Sequence, residues 1–244
     1  ENFSPIWEGG NKWLTKDKEG RPQAVTNFTF RVLYHLQNEN REAKQIILAR
    51  NEEGTEILKE VNPEELTTPG GFKKTFIREG NFLLVSQSPD WATNQILRKV
   101  LKGVKPATEV EYMGWQPDSG FFAFSNGLLK ESQFYPVNEF GIAEIHGQRY
   151  YIAAASQLNA NQRTTYRDYL RIQYRPEGTK SLSYFAHRFT GVFGHRSLTS
   201  IAFATMTYFS DIVFEELGSV PMLFYYGPPG SGKNQQAEIL TSLW

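Results

Sequence analysis

From residue 28 the chain alternates apolar and polar positions. "NFTFRVLYHLQ" places Phe28, Phe30, Val32, Tyr34 and Leu36 at a period of two, the signature of a β-strand. "AKQIILAR" and "TEILKEV" follow, separated by the polar turns "NENRE" and "NEEG", which predicts an antiparallel meander. The period then lengthens. "NPEELTTPGGFKKTFIREG" carries cap-like residues and a break at Pro69-Gly70-Gly71. "SPDWATNQILRKVLKG" opens on Ser88-Pro89 and spaces Trp91, Ile96, Val100 and Leu101 for one buried helix face. It carries Lys99 and Lys102 in its last turn and stops at Gly103, as helix C-termini favour. Over 108–156 the pattern returns to short aromatic strands, "EVEYMGW", "GFFAFSNGLL" and "GIAEIHGQRYYIAAA", joined by Pro-Asp-Ser-Gly, Asn-Gly and His-Gly turns.

Beyond a polar connector, "SQLNANQRTTYRDYLRIQYRPEGTK", two helical stretches are predicted. The second, "HRSLTSIAFATMTYFSDIVFEELG", is apolar on most sides through Leu198, Ile201, Phe203, Met206, Phe209, Ile212 and Phe214, and is therefore expected to be buried. An apolar strand, "PMLFYY", then leads into a glycine-rich turn and a final helix. The fold class is α+β: a mixed, largely antiparallel N-terminal domain, then helices and the first strand–loop–helix of an α/β P-loop ATPase domain. The expected organisation is an extended lead-in over 1–22 anchored by Trp7 and Trp13, a mixed α/β accessory domain over 23–156 and a connector over 157–180. Residues 181–244 then read as the truncated opening of an ATPase domain, and the first residue, Glu1, hints at an excised fragment.

Composition narrows the chemistry. Lys plus Arg and Asp plus Glu are balanced at 26 each, so a nucleic-acid site has to be a local patch rather than a property of the whole field. The absence of cysteine excludes disulfides, thiolate catalysis and cysteine-ligated zinc, and fits a cytoplasmic protein. The histidines, His35, His146, His187 and His195, have no close metal-ligand spacing. No uninterrupted apolar run reaches the ~20 residues of a membrane span, and no signal peptide is visible.

The residues Gly227-Pro228-Pro229-Gly230-Ser231-Gly232-Lys233 match G-x-x-x-x-G-K. Glycines there let successive backbone N–H groups turn inward around phosphate oxygens, and the following helix adds its positive end. The Lys233 ammonium is the candidate catalytic group, a point charge for the β- and γ-phosphates. The position between an apolar strand and a helix strengthens the match, since an ordinary turn has no need of these clustered glycines and a lysine. Asn234 departs from the usual Ser or Thr that completes a magnesium shell. Its amide oxygen is a hard ligand that could reach Mg2+ directly or through water. Alternatively, other groups hold the metal, or the site binds nucleotide with weakened hydrolysis. Retained ATP binding is favoured because the loop backbone and Lys233 do most of that work. After the loop comes no apolar strand ending in Asp or Asp-Glu, so turnover is not expected from these residues alone. Ile212-Val213-Phe214-Glu215-Glu216 resembles such a strand, but it lies upstream and within a helical period.

Arg163, Arg167, Arg171 and Arg175 recur every four residues among Tyr166, Tyr169 and Tyr174. On a helix they would make a basic stripe for a nucleic-acid backbone; otherwise they belong to a solvated connector or a strand. Trp115, Phe121, Phe122 and Phe124 could stack bases, although aromatic strand residues are more often core. Lys73, Lys74 and Arg78 read as helix surface.

Taken together, "TNFTFRVLYHL", "REGNFLL", "GWQPDSGFFAFSNG", "GIAEIHGQRYYI" and "PMLFYYGPPGSGKN" resemble the middle of the primase–helicase proteins of phages and mobile elements, especially those from Bacteroides-like bacteria. The resemblance runs from about residue 25 onward, with Gly114-Trp115 and Asn126-Gly127 as its more family-like marks. It implies an accessory domain ahead of a hexameric AAA+-like motor, an ATP-driven helicase moving on single-stranded DNA. Gly227, Gly230, Gly232 and Lys233 match its phosphate loop. The different reading, a non-catalytic single-strand-binding or assembly module, places the work in residues 25–180.

Overall fold

The computed structural model describes residues 5–38, 42–159, 172–177 and 180–241. The predicted meander is present as β4 (Phe28–Gln37), β5 (Lys44–Asn51) and β6 (Glu56–Val61). Three short strands precede it: β1 (Trp7–Gly9), β2 (Lys12–Lys16) and β3 (Pro22–Ala24). The expected extended lead-in is thus a three-stranded sheet, turned by Gly10 and Asn11, both at positive φ. Burial of Ile6 and Trp13 in the main core holds it down.

A bulge between Val32 and Tyr34 sets what β4 buries. Before it, Phe28, Phe30 and Val32 share one core with Ile47; after it, Leu36 shares another with Ile46. One extra residue reverses the parity of the strand, so the same alternating pattern serves both faces of the sheet.

Helices α1 (Pro63–Thr67), α2 (Pro69–Ile77) and α3 (Pro89–Val100) each begin with proline, whose fixed φ and missing N–H suit a first helical position. The break anticipated at Pro69-Gly70-Gly71 is the first turn of α2, where the Gly71 N–H donates to the Thr68 hydroxyl at 3.1 Å. Thr68→Ala should remove this cap and lower stability by about 1 kcal/mol, read from the urea midpoint. Phe72 and Phe76 of α2 are buried against Phe28 and Phe30, while Lys73, Lys74 and Arg78 lie on the exposed side.

The helical crossover returns the chain parallel to β4 as β7 (Lys105–Glu109), pairing Tyr34 with Lys105. Strands β8 (Gly114–Gln116), β9 (Phe121–Phe124), β10 (Gly127–Lys130) and β11 (Gln133–Pro136) make a separate four-stranded meander. The hairpin β12 (Ile142–Ile145) and β13 (Gln148–Tyr151) turns at His146-Gly147 as predicted and completes the six-stranded sheet, order β12-β13-β7-β4-β5-β6. That sheet is mixed, because β7 is parallel to both β4 and β13.

The C-terminal part comprises α4 (Leu182–Phe193), α5 (Ser197–Thr207), α6 (Ser210–Leu217) and α7 (Lys233–Thr241). Phe189, Ile201, Ala204 and Leu240 form its small core. The single buried helix expected over 195–218 is instead α5 and α6, bent by 92°. Thr205 and Thr207 donate to the carbonyls of Ile201 and Ala204, bonds that favour bending at the end of α5. Burial fails too: Leu198, Phe209, Ile212 and Phe214 are 50–58% exposed, because this small core covers only one side of an all-round apolar sequence. Among the described residues no single helix is long and apolar enough to cross a membrane; α5 and α6 reach that length and composition only as a bent pair.

Candidate functional site

The glycine-rich loop is positioned from below by the C-terminal helices. Leu240 anchors α7 in their core, and Ser200 of α5 donates to the side-chain oxygen of Gln236 at 3.4 Å. The Phe193 ring at the end of α4 packs beside Gly232, where an added Cβ would lie 3.3 Å from the ring. Gly230 and Gly232 adopt φ of +77° and +78°, a region that other residues rarely enter. Residues with positive φ alternating with ordinary ones turn neighbouring N–H groups toward one side, the arrangement of an anion-binding nest. The α7 ladder starts only when the Gln236 N–H donates to the Gly232 carbonyl at 2.9 Å. The earlier N–H groups of the first turn therefore lie at the positive end of the helix without an intrahelical partner.

Lys233 folds back over this loop. Its Nζ donates to the carbonyls of Gly227 and Pro228, each at 2.7 Å, and to Ser231 Oγ at 3.2 Å. These acceptors are all neutral, so a phosphate oxygen would add a direct charge–charge attraction that the present partners of the ammonium do not provide. Asn234 is exposed at the start of α7. Among the described residues no group of three or more His, Asp or Glu side chains is arranged to hold a metal ion.

The strand expected before the loop is not part of any sheet among the described residues. Residues 221–226 keep its alternation: Leu223 and Tyr225 are half-buried against α5 and α7, whereas Met222, Phe224 and Tyr226 are 94%, 85% and 94% exposed. Glu215 and Glu216 lie exposed on α6, in agreement with their helical period.

The arginine series is only partly placed. Arg163, Arg167 and Arg171 lie outside the described residues; Arg175 is exposed and donates to the Gln173 side chain at 3.0 Å. The aromatic set divides by strand parity. Phe121 is core, edge-on to Tyr150 at 4.7 Å. Trp115, Phe122 and Phe124 face outward and line a cleft of about 850 Å³. Its opposite wall, Tyr208, Asp211 and Phe214, is absent from the sequence expectation; the helix that carries these residues reads there simply as buried. Burial raises the Tyr208 phenol above its ordinary pKa, so its hydroxyl stays protonated through neutral pH.

No protein-family model matches the chain, and no curated protein matches it.

Proposed function

We propose that residues 227–234 bind the phosphates of ATP, as the phosphate loop of an ATP-dependent DNA helicase that replicates a phage or mobile element in the cytoplasm. The observation that carries this reading is the alternating positive-φ glycine loop closing onto the N-terminus of α7, with Lys233 folded across it. In this role Gly227, Pro228, Pro229, Gly230, Ser231 and Gly232 supply the cradle and Lys233 the counter-charge. Asn234 is the loop's own oxygen donor toward Mg2+, weaker than a hydroxyl in this position. Bound ATP supplies the transferable γ-phosphoryl group whose hydrolysis powers movement on single-stranded DNA by a hexameric ring.

Titration with a fluorescent ATP analogue tests the site directly. Lys233→Ala should weaken binding by roughly 10- to 100-fold, the worth of a charge-assisted contact of about 1.5–3 kcal/mol. Equal affinity for ATP in the wild type and this variant defeats the assignment.

A further inference from the structure

The outer face of the β8–β10 meander and the start of α6 enclose the cleft of about 850 Å³, and none of residues 227–234 lines it. Small-molecule sites measure roughly 300–1,000 Å³ and combine apolar walls with a few polar groups. Phe122 lies 4.9 Å from Phe124 and 6.5 Å from Tyr208 between ring centroids. Trp115 and Phe214 remain 40% and 58% exposed, so flat ring faces are left uncovered. Among the described residues that line the cleft, Asp211 is the only charged one. It forms no ion pair with any described residue. Phe214 follows it by one helical turn of α6, so carboxylate and ring share a helix face.

Charge narrows the ligand. The face of an aromatic ring is the negative end of its quadrupole and attracts a cation placed over it. The Asp211 carboxylate adds a full negative charge, and no lysine, arginine or histidine in the described wall neutralises it. Rings and carboxylate thus act in the same sense: both favour a positive group and both oppose a phosphate or carboxylate. A single carboxylate does not make a metal site, since hard cations gather several oxygen ligands. The rest of the wall includes Met113, Leu129, Ile172 and Val220, which suit a hydrocarbon body. The complement is therefore a molecule with a cationic head and an apolar body.

We propose that this cleft binds a small organic cation, an ammonium group joined to an aromatic or aliphatic body. The ammonium lies beside Asp211 and Phe214, and the body packs against Trp115 and Phe122. The site is separate from the phosphate loop and stands or falls independently of it.

The test uses the whole chain, without any nucleotide, and isothermal titration calorimetry at neutral pH. Its probes share a ring and differ in charge: phenethylammonium, phenethyl alcohol and phenylacetate. Phenethylammonium should bind more tightly than the alcohol by roughly 3- to 30-fold, the worth of one exposed cation–ring contact and one exposed ion pair. Phenylacetate should bind more weakly than either. Asp211→Asn should weaken the ammonium by roughly 2- to 5-fold and leave the alcohol as it was. Trp115→Ala should weaken both with an unchanged melting temperature, and Trp115→Phe should recover most of the loss. The proposal is overturned by no binding of phenethylammonium, by equal or tighter binding of the alcohol or phenylacetate, or by indifference to both Asp211→Asn and Trp115→Ala. A capped lysine tripeptide that binds more tightly than phenethylammonium by over about tenfold assigns the cleft to a partner's side chain and overturns the free ligand.

Discussion

Phe28→Ala should lower the unfolding free energy by about 3–5 kcal/mol, the cost of truncating a fully buried phenylalanine. Phe28 is fully buried at the start of β4. Its ring centroid lies 4.5 Å from Phe76, 5.5 Å from Phe82, 6.0 Å from Phe72 and 6.4 Å from Phe30. The neighbours belong to a sheet strand, to α2 and to the segment after α2, so the cavity left by alanine cannot close by movement of one element alone. Lost dispersion and transfer energy therefore add to the cavity term. Phe28→Leu, which keeps most of the volume, should cost appreciably less. Urea unfolding followed by circular dichroism measures both; a cost below about 1 kcal/mol for the alanine variant contradicts the packing described.

The second large effect is expected at Gly141. Its φ is +77°, and a Cβ there would lie 2.6 Å from the Ile152 carbonyl oxygen and 3.0 Å from the Ser156 nitrogen. Gly141→Ala therefore meets backbone strain and backbone collision together, each of about 1–3 kcal/mol. Nothing flexible stands in the way that could move aside. The Gly141 carbonyl accepts from the Ile152 N–H at 2.7 Å, and Asn138 Oδ1 accepts from the Phe140 and Ile142 N–H groups at 3.0 Å. The turn thus ties the entrance of β12 to the exit of β13. Amide exchange should accelerate first along 142–151, where the hairpin Ile142–Tyr151 loses its anchor. A variant as stable as the parent, with unchanged exchange there, refutes this account.

The elements most legible in the sequence are those set by local pattern. The alternation of 28–36, the helix opened by Ser88-Pro89 and the His146-Gly147 hairpin are determined by side-chain spacing and by the φ that turn residues permit. The outward and inward halves of "FFAF" follow from the same period of two. Where the sequence expectation departs from the structure, the deciding contact is distant. The lead-in is a three-stranded sheet rather than an extended segment because Ile6 and Trp13 are held in the main core, and β7 joins β4 in parallel because three helices carry the chain across. The uniform apolarity of 197–217 signals burial only if enough neighbours exist to cover every side, and α4, α5 and α7 cover one.

The candidate sites divide along the same line. A phosphate-loop pattern is a local object: three closely spaced glycines, a lysine and a helix start lie within eight residues, so the match from Gly227 to Asn234 is visible without any fold. The cleft is assembled from Trp115 and Phe122 on one side and Tyr208 and Asp211 on the other, nearly a hundred residues apart in the chain. Sequence alone determined the period of the β4–β6 meander, of α3 and of the β12–β13 hairpin, and the residue pattern of the loop, because these depend on neighbours along the backbone. The parity of β4 after its bulge, the parallel place of β7 and the opposing walls of the cleft were decided only by tertiary structure, because each depends on which distant surfaces exclude water together.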